Sequence, residues 1–244
     1  MGVGALASGI NAVAGGGSLI SYPTLTLGMG IADKIANATN SVALWPGALA
    51  GAFGFLNLLK KTGHYFKTLF LPTLLGSSLG GWLLIITSEE MFSFVVPWLI
   101  LLAALLLMFQ PRVKAFVLGP HRKVSEPVGW LLQFLVSVYG GYFGAGMGIM
   151  MLASFALYME GTIHELNAVK NWLGLIINFA VSVLFIVKGM VILDVAAALI
   201  VGSVIGGFGA AKVSQRFDPE KMRLAIAIYG VGMAAVYLYR AWFV

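Results

Sequence analysis

The chain has 244 residues, of which 60% are hydrophobic and only 10% charged, and the charges lie between long apolar runs. That composition excludes a water-soluble globular domain, whose surface requires a much larger share of charged residues. The formal charge of +6 comes from loops beside apolar segments, which indicates membrane orientation and not nucleic-acid binding. Because cysteine is absent, the sequence has neither a disulfide framework nor a thiol nucleophile.

Eight apolar stretches follow one another along the chain. A membrane-spanning helix needs about 20 mainly apolar residues. Six stretches reach that length without interruption: 37–59, 67–87, 92–109, 167–187, 191–211 and 221–239. Two others, 3–28 and 128–158, are broken by glycine clusters, and their parts are short for a bilayer core of about 30 Å. We therefore predict an all-α polytopic membrane protein with two re-entrant or discontinuous helices.

The sequence contains two copies of one unit. Each copy has a glycine cluster, then an asparagine motif, then a second glycine-rich cluster. In the first copy these are Gly15-Gly16-Gly17, Asn37-Ala38-Thr39-Asn40 and 76–81; in the second they are Gly144-Ala145-Gly146, Asn167-Ala168-Val169-Lys170 and 202–207. We predict a first transmembrane repeat over 1–110, a cytoplasmic linker over 111–127 and a second repeat over 128–244. Each repeat has one glycine-broken helix and three spanning helices.

The distribution of basic residues predicts how the two repeats are oriented. If each glycine-broken stretch crosses the membrane once, the Lys and Arg residues of the loops divide nine to five between the two sides. If each stretch enters and returns on one side, they divide eleven to three. Basic loops concentrate on the cytoplasmic side of membrane proteins, which favours the second arrangement. The two repeats are therefore predicted to be inverted.

The glycine clusters are predicted to line a cavity. A break within an apolar helix exposes backbone groups that lipid cannot satisfy, so it persists only beside protein or water. A half-helix that restarts after the break directs free N–H groups and its positive dipole end into that space, which suits an anion. Close helix packing through small residues is the alternative interpretation. Matching positions in both repeats favour a binding site formed by Gly15, Gly16, Gly17, Ser18, Gly144, Gly146 and Gly148.

Polar residues also form a stripe along one helix of each repeat. Five residues of the later helix share one face by their spacing: Asn167, Lys170, Asn171, Gly174 and Asn178. The counterpart in the first repeat consists of Asn37, Asn40 and Ser41. An ammonium within a span is costly, and no Asp or Glu lies deep in a predicted span to pair with Lys170. We predict that an anionic substrate pairs with it; the alternative is a lysine that extends to the membrane interface.

The sequence does not contain the residues of an enzyme site. His64, His121 and His164 are predicted in or beside loops, without the spacing of metal ligands or a neighbouring serine to activate. We therefore predict no catalytic residue, no metal and no cofactor. The predicted partners are the lipid bilayer and a small anion, without nucleic acid, and a homodimer is compatible with the sequence.

The motifs from Ala36 to Gly47 and from Asn167 to Val191 resemble those of the sulfite exporter TauE/SafE family, also called probable membrane transporter proteins. The resemblance covers nearly the whole chain. It implies a bacterial or archaeal inner-membrane carrier for sulfite, organosulfonates or related sulfur-containing anions, which bind near the midplane between the repeats. An anion-selective channel, or a carrier of another small organic anion, is the alternative. The second glycine motif departs from the first, because it is not a clean triplet and has no equivalent of Pro23.

Overall fold

The computed structural model describes residues 2–13, 17–53, 56–119, 124–213 and 219–243. Within these ranges the regular structure is entirely helical. In chain order the α-helices are α1 (Gly2–Val13), α2 (Ser18–Pro23), α3 (Asp33–Phe53), α4 (Leu56–Ile86), α5 (Glu89–Met108), α6 (Gln110–Leu118), α7 (Glu126–Tyr142), α8 (Met147–Phe155), α9 (Ile163–Val187), α10 (Leu193–Val213) and α11 (Pro219–Phe243). A π-helical turn, Thr24–Gly28, extends α2.

Several of these helices are long and apolar enough to cross a membrane. Among the described residues, four segments satisfy both criteria: Thr62–Ile86 of α4, Glu89–Met108, Ile163–Val187 and Glu220–Phe243 of α11. Helices α3 and α10 have 21 residues each, a length that matches the roughly 30 Å of a bilayer core at about 1.5 Å per residue. Large apolar side chains are exposed along one side of α4, at Leu71, Leu75, Leu79, Trp82 and Ile86. Such a surface is stable in lipid, so the chain is a polytopic membrane protein.

One predicted boundary is wrong. Lys60, Lys61, Gly63 and His64 were expected between two spans, but they lie inside α4, which begins at Leu56. Lysine has a high helix propensity, and a single glycine costs a helix only about 1 kcal/mol, so the helix continues beyond the hydrophobic segment. The predicted linker is also partly helical, because α6 occupies its first part.

Helices α4 and α7 pack closely through small residues. A Cβ added to Gly76 would lie 2.5 Å from the carbonyl oxygen of Phe134, and one added to Gly80 would collide with the carbonyl oxygen of Val138. From α7, Gly141 approaches the backbone of α4 in the same way. Gly76 contacts Phe134, and Gly80, four residues later on α4, contacts Val138, four residues later on α7. Helices α4 and α7 are therefore parallel.

The helices that correspond to them in the repeat alignment, α1 of the first repeat and α10 of the second, form a similar pair. A Cβ added to Gly4 on α1 would lie 2.5 Å from the carbonyl oxygen of Leu199 on α10. By the repeat alignment, α1 corresponds to α7 and α10 to α4. The glycine-broken stretch of each repeat therefore packs against a long helix of the other repeat, which joins the two repeats into one bundle.

Helices α3 and α9, which carry the two polar stripes, pack against each other at the centre. The rings of Trp45 and Phe179 are 5.7 Å apart between centroids. Near the start of α3, the Thr39 hydroxyl accepts a hydrogen bond of 3.1 Å from the Ile192 N–H. Because Ile192 follows the end of α9 by five residues, the start of α3 lies near the end of α9. The two helices run antiparallel.

Helices α5 and α11 are also antiparallel. Asp33 accepts hydrogen bonds from Tyr22 and from Ser93, which lies in the first turn and a half of α5. The Tyr22 ring stacks on Tyr237, near the end of α11, with centroids 6.0 Å apart. The start of α5 and the end of α11 therefore meet at one end of the bundle.

The second glycine-broken stretch starts and finishes at the same end of the bundle. The Val124 N–H, just before α7, donates a hydrogen bond of 2.9 Å to the Leu157 carbonyl oxygen, just after α8. In the next turn, a Cβ added to Gly129 would lie 2.8 Å from the Tyr158 ring. Helices α7 and α8 thus form a hairpin, as a re-entrant segment requires.

Candidate functional site

The second glycine break is a well-packed turn between α7 and α8. Gly144 and Gly146 have φ angles of 80° and 78°, a left-handed conformation that glycine adopts without strain. Between them, the Ala145 carbonyl oxygen accepts a hydrogen bond of 2.5 Å from the Tyr139 hydroxyl. A Cβ added to Gly146 would lie 3.3 Å from the Cα of Ala103 on α5. Glycine fits this turn because it adopts the left-handed conformation and has no side chain. A larger residue would be strained in its backbone and crowded by α5.

Lys170 of α9 lies beside the first turn of α8. A Cβ added to Gly148 would be 3.4 Å from Lys170 Cδ, so the aliphatic part of the lysine packs against this turn. The partly buried ammonium donates a hydrogen bond of 2.9 Å to Asn167 Oδ1. This acceptor is a neutral amide one turn away and not an Asp or Glu, so pairing of Lys170 with an anionic substrate stays a prediction. The site combines an ammonium with the N–H groups at a helix start, both of which attract anions.

The first glycine break is described from Gly17 onward, and Gly15 and Gly16 lie outside the described residues. The buried Gly17 carbonyl oxygen accepts a hydrogen bond of 3.2 Å from the Ser21 hydroxyl. Ser18 is the first residue of α2 and is partly exposed. This break therefore leads directly into a short polar half-helix.

A small cavity lies between α1, α2, α3 and α10. Asn40 projects from α3, and its Oδ1 accepts a hydrogen bond of 2.6 Å from Ser21 of α2. The cavity has room for about one water molecule and is lined by Gly4, Ala7, Ser21, Asn40, Ala43, Leu44, Leu199 and Ser203. Almost all of the surface exposed to it is apolar, and its lining residues include no charged side chain.

The remaining stripe residues have varied surroundings. Asn37 is buried, and its Nδ2 donates a hydrogen bond of 2.9 Å to the carbonyl oxygen of Tyr142, at the end of α7. The Ser41 hydroxyl donates a hydrogen bond to the carbonyl oxygen of Asn37, one turn earlier in the same helix. Asn171 and Asn178 are partly buried, and their side chains make no hydrogen bond to the described part of the chain. Their amide groups are therefore available to a ligand.

The predicted site residues fall into two groups. Asn40 lines the cavity of the first repeat, whereas Lys170 is not among its lining residues and packs on α8. Asn37 connects the repeats through its bond to Tyr142. Binding of one substrate by both groups stays a prediction.

Sequence reasoning missed Ser21 and Ser203 as candidate site residues. Ser21 lies one helical turn after Gly17, at the position where it can bond both the Gly17 carbonyl and Asn40. Ser203 belongs to the glycine-rich motif that repeats at Ser77, so the sequence carried a signal for it. Both residues line the cavity.

Apolar spans, helices broken by glycine and an internal lysine define a membrane transporter and not an enzyme. Across the described ranges, no three His, Asp or Glu side chains are grouped as a metal site requires. The chain belongs to the sulfite exporter TauE/SafE family, whose profile matches residues 1–237.

Two relatives agree with this assignment. A protein of Haemophilus influenzae named "Probable membrane transporter protein" is 28% identical over 246 residues, which cover 99% of this chain and 94% of the relative. "Probable membrane transporter protein YfcA" of Escherichia coli K12 is 24% identical over 241 residues, which cover 97% of this chain and 87% of the relative. No solved structure matches the chain.

Proposed function

We propose that this protein is a secondary carrier of small sulfur-containing anions, such as sulfite or an organosulfonate. The observation that carries the proposal is the position of Lys170 beside the first turn of α8. A helix start and an ammonium both attract negative charge, and in a site shielded from water this attraction is stronger than at a surface. The family to which the chain belongs supports the same substrate class.

The chemistry around Lys170 suits an oxyanion in particular. A sulfonate or sulfite group has three oxygen atoms that accept hydrogen bonds from several directions at once. The Lys170 ammonium offers three donors, of which one is directed to Asn167. The Asn171 amide, on the same face of α9, can donate to a second oxygen. An anion held in this way compensates a lysine that would otherwise be costly inside a membrane protein.

We assign the cavity beside Asn40 to the opposite half of the transport path. Asn40 occupies the position of Lys170 in the repeat alignment, and α2 occupies the position of α8. Ser21, Asn40 and Ser203 line the cavity, and none of its lining residues carries a charge. It would therefore hold the anion more weakly than the Lys170 region, as release requires.

We further propose that the two repeats are inverted and move against each other during transport. The antiparallel directions of α3 and α9 support this, because these two helices are equivalent in the repeat alignment. The same holds for α5 and α11. Inverted repeats that exchange conformations expose a central site to each side of the membrane in turn. In this arrangement the linker 111–127 is cytoplasmic, as the basic residues favour.

The experiment is transport by the purified protein in liposomes. We expect saturable uptake of sulfite and methanesulfonate, and faster uptake of the labelled anion when the same anion is preloaded inside. Such counterflow requires a carrier. Flux that rises linearly with concentration and shows no counterflow would identify an anion channel, and uptake of acetate in preference to both sulfur anions would refute the substrate class.

A further inference from the structure

A pocket lined by aromatic rings lies at the linker end of the bundle, between the starts of α4 and α7 and the segment after α8. Its lining includes His64, Tyr65 and Thr68 of α4, Glu126 and Trp130 of α7, and Tyr158. Three large rings and an imidazole thus surround a space that also contains one carboxylate. No Lys or Arg is among the described residues that line it.

Two of these rings are held in place by the backbone around them. The Tyr65 hydroxyl accepts a hydrogen bond of 3.0 Å from the N–H of Glu160, and the Tyr65 ring packs against His64 with centroids 4.2 Å apart. The Tyr158 ring lies against Gly129, where a Cβ would come within 2.8 Å of it. Rings that are fixed before a ligand arrives lose little freedom on binding, which favours affinity.

Rings combined with a carboxylate are the chemistry that recognises an ammonium group. A cation is attracted to the negatively polarised face of an aromatic ring, and the attraction is stronger where water is partly excluded. Glu126 adds a full negative charge to the same pocket. The carboxylate would repel an anion, so this pocket is unsuited to the substrate proposed above and fits a cationic ligand.

The size of the pocket selects among ammonium groups. It has room for about three water molecules. That space matches a primary ammonium with the two carbon atoms next to it. A trimethylammonium group carries additional methyl groups and requires more room. The ligand is therefore expected to be a primary amine.

The pocket borders the surface of α4 that faces lipid. The candidate span of this helix begins at Thr62, so His64 lies in its first turn. The spacing of His64, Thr68, Leu71 and Leu75 places them on one face of the helix. Leu71 and Leu75 are both exposed. A ligand with its ammonium in the pocket can therefore extend apolar chains along this face.

We propose that the pocket binds the ammonium headgroup of a phospholipid of the phosphatidylethanolamine class. The ammonium lies among the three rings and pairs with Glu126. The lipid phosphate, two carbon atoms from the nitrogen, pairs with Lys67, an exposed residue one turn after His64. The acyl chains follow the apolar face of α4. This lipid site is independent of which anion the protein carries.

The test is native mass spectrometry of the delipidated protein with three lipids that have identical acyl chains. The probes are phosphatidylethanolamine, phosphatidylcholine and phosphatidylglycerol. We expect the first to bind at least threefold more tightly than either of the others. Phosphatidylcholine has too large a headgroup, and phosphatidylglycerol has no cation. Equal binding of all three overturns the proposal.

Two matched pairs of variants assign the preference to the pocket. Glu126→Gln should abolish it, whereas Glu90→Gln, which removes an exposed carboxylate from the first turn of α5, should keep it. Trp130→Leu should weaken the binding of phosphatidylethanolamine at least twofold. Trp98→Leu should leave it unchanged, although the two tryptophans are similarly exposed, at 46% and 49%. A preference that survives in Glu126→Gln, or that Glu90→Gln abolishes as well, refutes the site.

A soluble amine distinguishes the source of the ammonium. Phosphoethanolamine has the same headgroup without the acyl chains. At a concentration equal to that of the lipid it should not displace phosphatidylethanolamine, because the chains add apolar contact along α4. Displacement at equal concentration would identify a soluble amine as the occupant and overturn the lipid site.

Discussion

At the scale of single residues, the surroundings of Lys170 and of the glycine turn govern the candidate site. The ammonium is bonded to Asn167, and the aliphatic chain packs on Gly148. The Asn167 amide carries no net charge, so its hydrogen bond does not cancel the attraction of the ammonium for an anion. Lys170 and Gly146 therefore allow the most direct tests.

Replacing Lys170 by Met should impair binding more than folding. Met roughly preserves the aliphatic contact with Gly148 and removes the charge. We expect the binding of methanesulfonate to weaken by about 2 kcal/mol, which is roughly thirtyfold. Lys170→Arg should be intermediate, since a planar guanidinium keeps the charge but changes the geometry. The measurement is binding to the purified protein by calorimetry, together with its thermal unfolding.

Lys188→Met is the control for that experiment, because Lys188 is exposed just beyond the end of the same helix. It should bind like the wild type. If Lys170→Met also binds normally, the lysine serves only the membrane interface, and the anion is held by backbone and amide groups.

Replacing Gly146 by Leu should abolish transport while the protein still inserts in the membrane. The side chain would enter the space next to Ala103 and would force a left-handed residue into strain. Gly189→Leu is a matched control, since Gly189 has a φ of 67° but open space around it. Uptake per inserted protein should be lost in Gly146→Leu and kept in Gly189→Leu. Equal uptake by the two variants would mean that the break at Gly146 has no part in transport.

At the scale of helices, the bundle depends on close contacts between parallel helices of different repeats. Gly76 and Gly80 on α4 and Gly141 on α7 let the two backbones approach each other. About one turn before Gly76, the buried Gln133 of α7 donates hydrogen bonds to Thr73 of α4 and to Ser137 of its own helix. Van der Waals contact and hydrogen bonds drive such pairing in lipid, where the hydrophobic effect does not.

Replacing Gly80 by Leu should destabilise the protein by separating α4 from α7. Overpacking of this kind costs about 1–3 kcal/mol, and the backbone of Val138 cannot yield as a flexible side chain could. Gly63→Leu is the control on the same helix, because a Cβ there would meet nothing within 4 Å. Thermal unfolding in detergent should show a lower midpoint for Gly80→Leu than for Gly63→Leu. Equal midpoints would show that this contact contributes little to stability.

At the scale of the whole molecule, the antiparallel pairs α3 with α9 and α5 with α11 relate the two repeats. This arrangement places the linker and the end of α11 at opposite ends of the bundle. If the repeats are inverted as proposed, most basic residues outside the spans are predicted to lie on the side of the linker.

Single cysteines at Gly119 and Phe243 should be labelled from opposite sides of the membrane. Gly119 follows α6 in the linker region, and Phe243 is 76% exposed at the end of α11. A membrane-impermeant maleimide added to intact cells should label Phe243→Cys, whereas Gly119→Cys should react only after the cells are opened. Labelling of both from one side would contradict inverted repeats.

Much of the fold follows from the sequence alone. Long apolar runs must be helices in lipid, because only helices and closed barrels satisfy the backbone there. The glycine cluster at 144–146 interrupts one of them, and the repeated motifs predict which helices are equivalent. The same reasoning identifies Lys170 as unusual, because a charged residue within an apolar span is visible in the sequence before its neighbours in space are known. The start of the next span, predicted at residue 67, was wrong, because α4 begins at Leu56 and extends beyond the apolar run from which hydropathy identifies a helix.

Only the tertiary structure decides which polar groups meet. The bond from Ser21 to Asn40 joins residues 19 positions apart, and the contact of Thr26 with Tyr237 joins residues 211 positions apart. Asp33, at a helix start, reads in the sequence as an ordinary surface residue until Tyr22 and Ser93 are brought to it from two other helices. Local pattern determines where a helix begins and which face is polar. Which helix packs on that face depends on segments far away in the sequence. In lipid, helices associate through complementary shape and hydrogen bonds, and neither can be read from the local pattern.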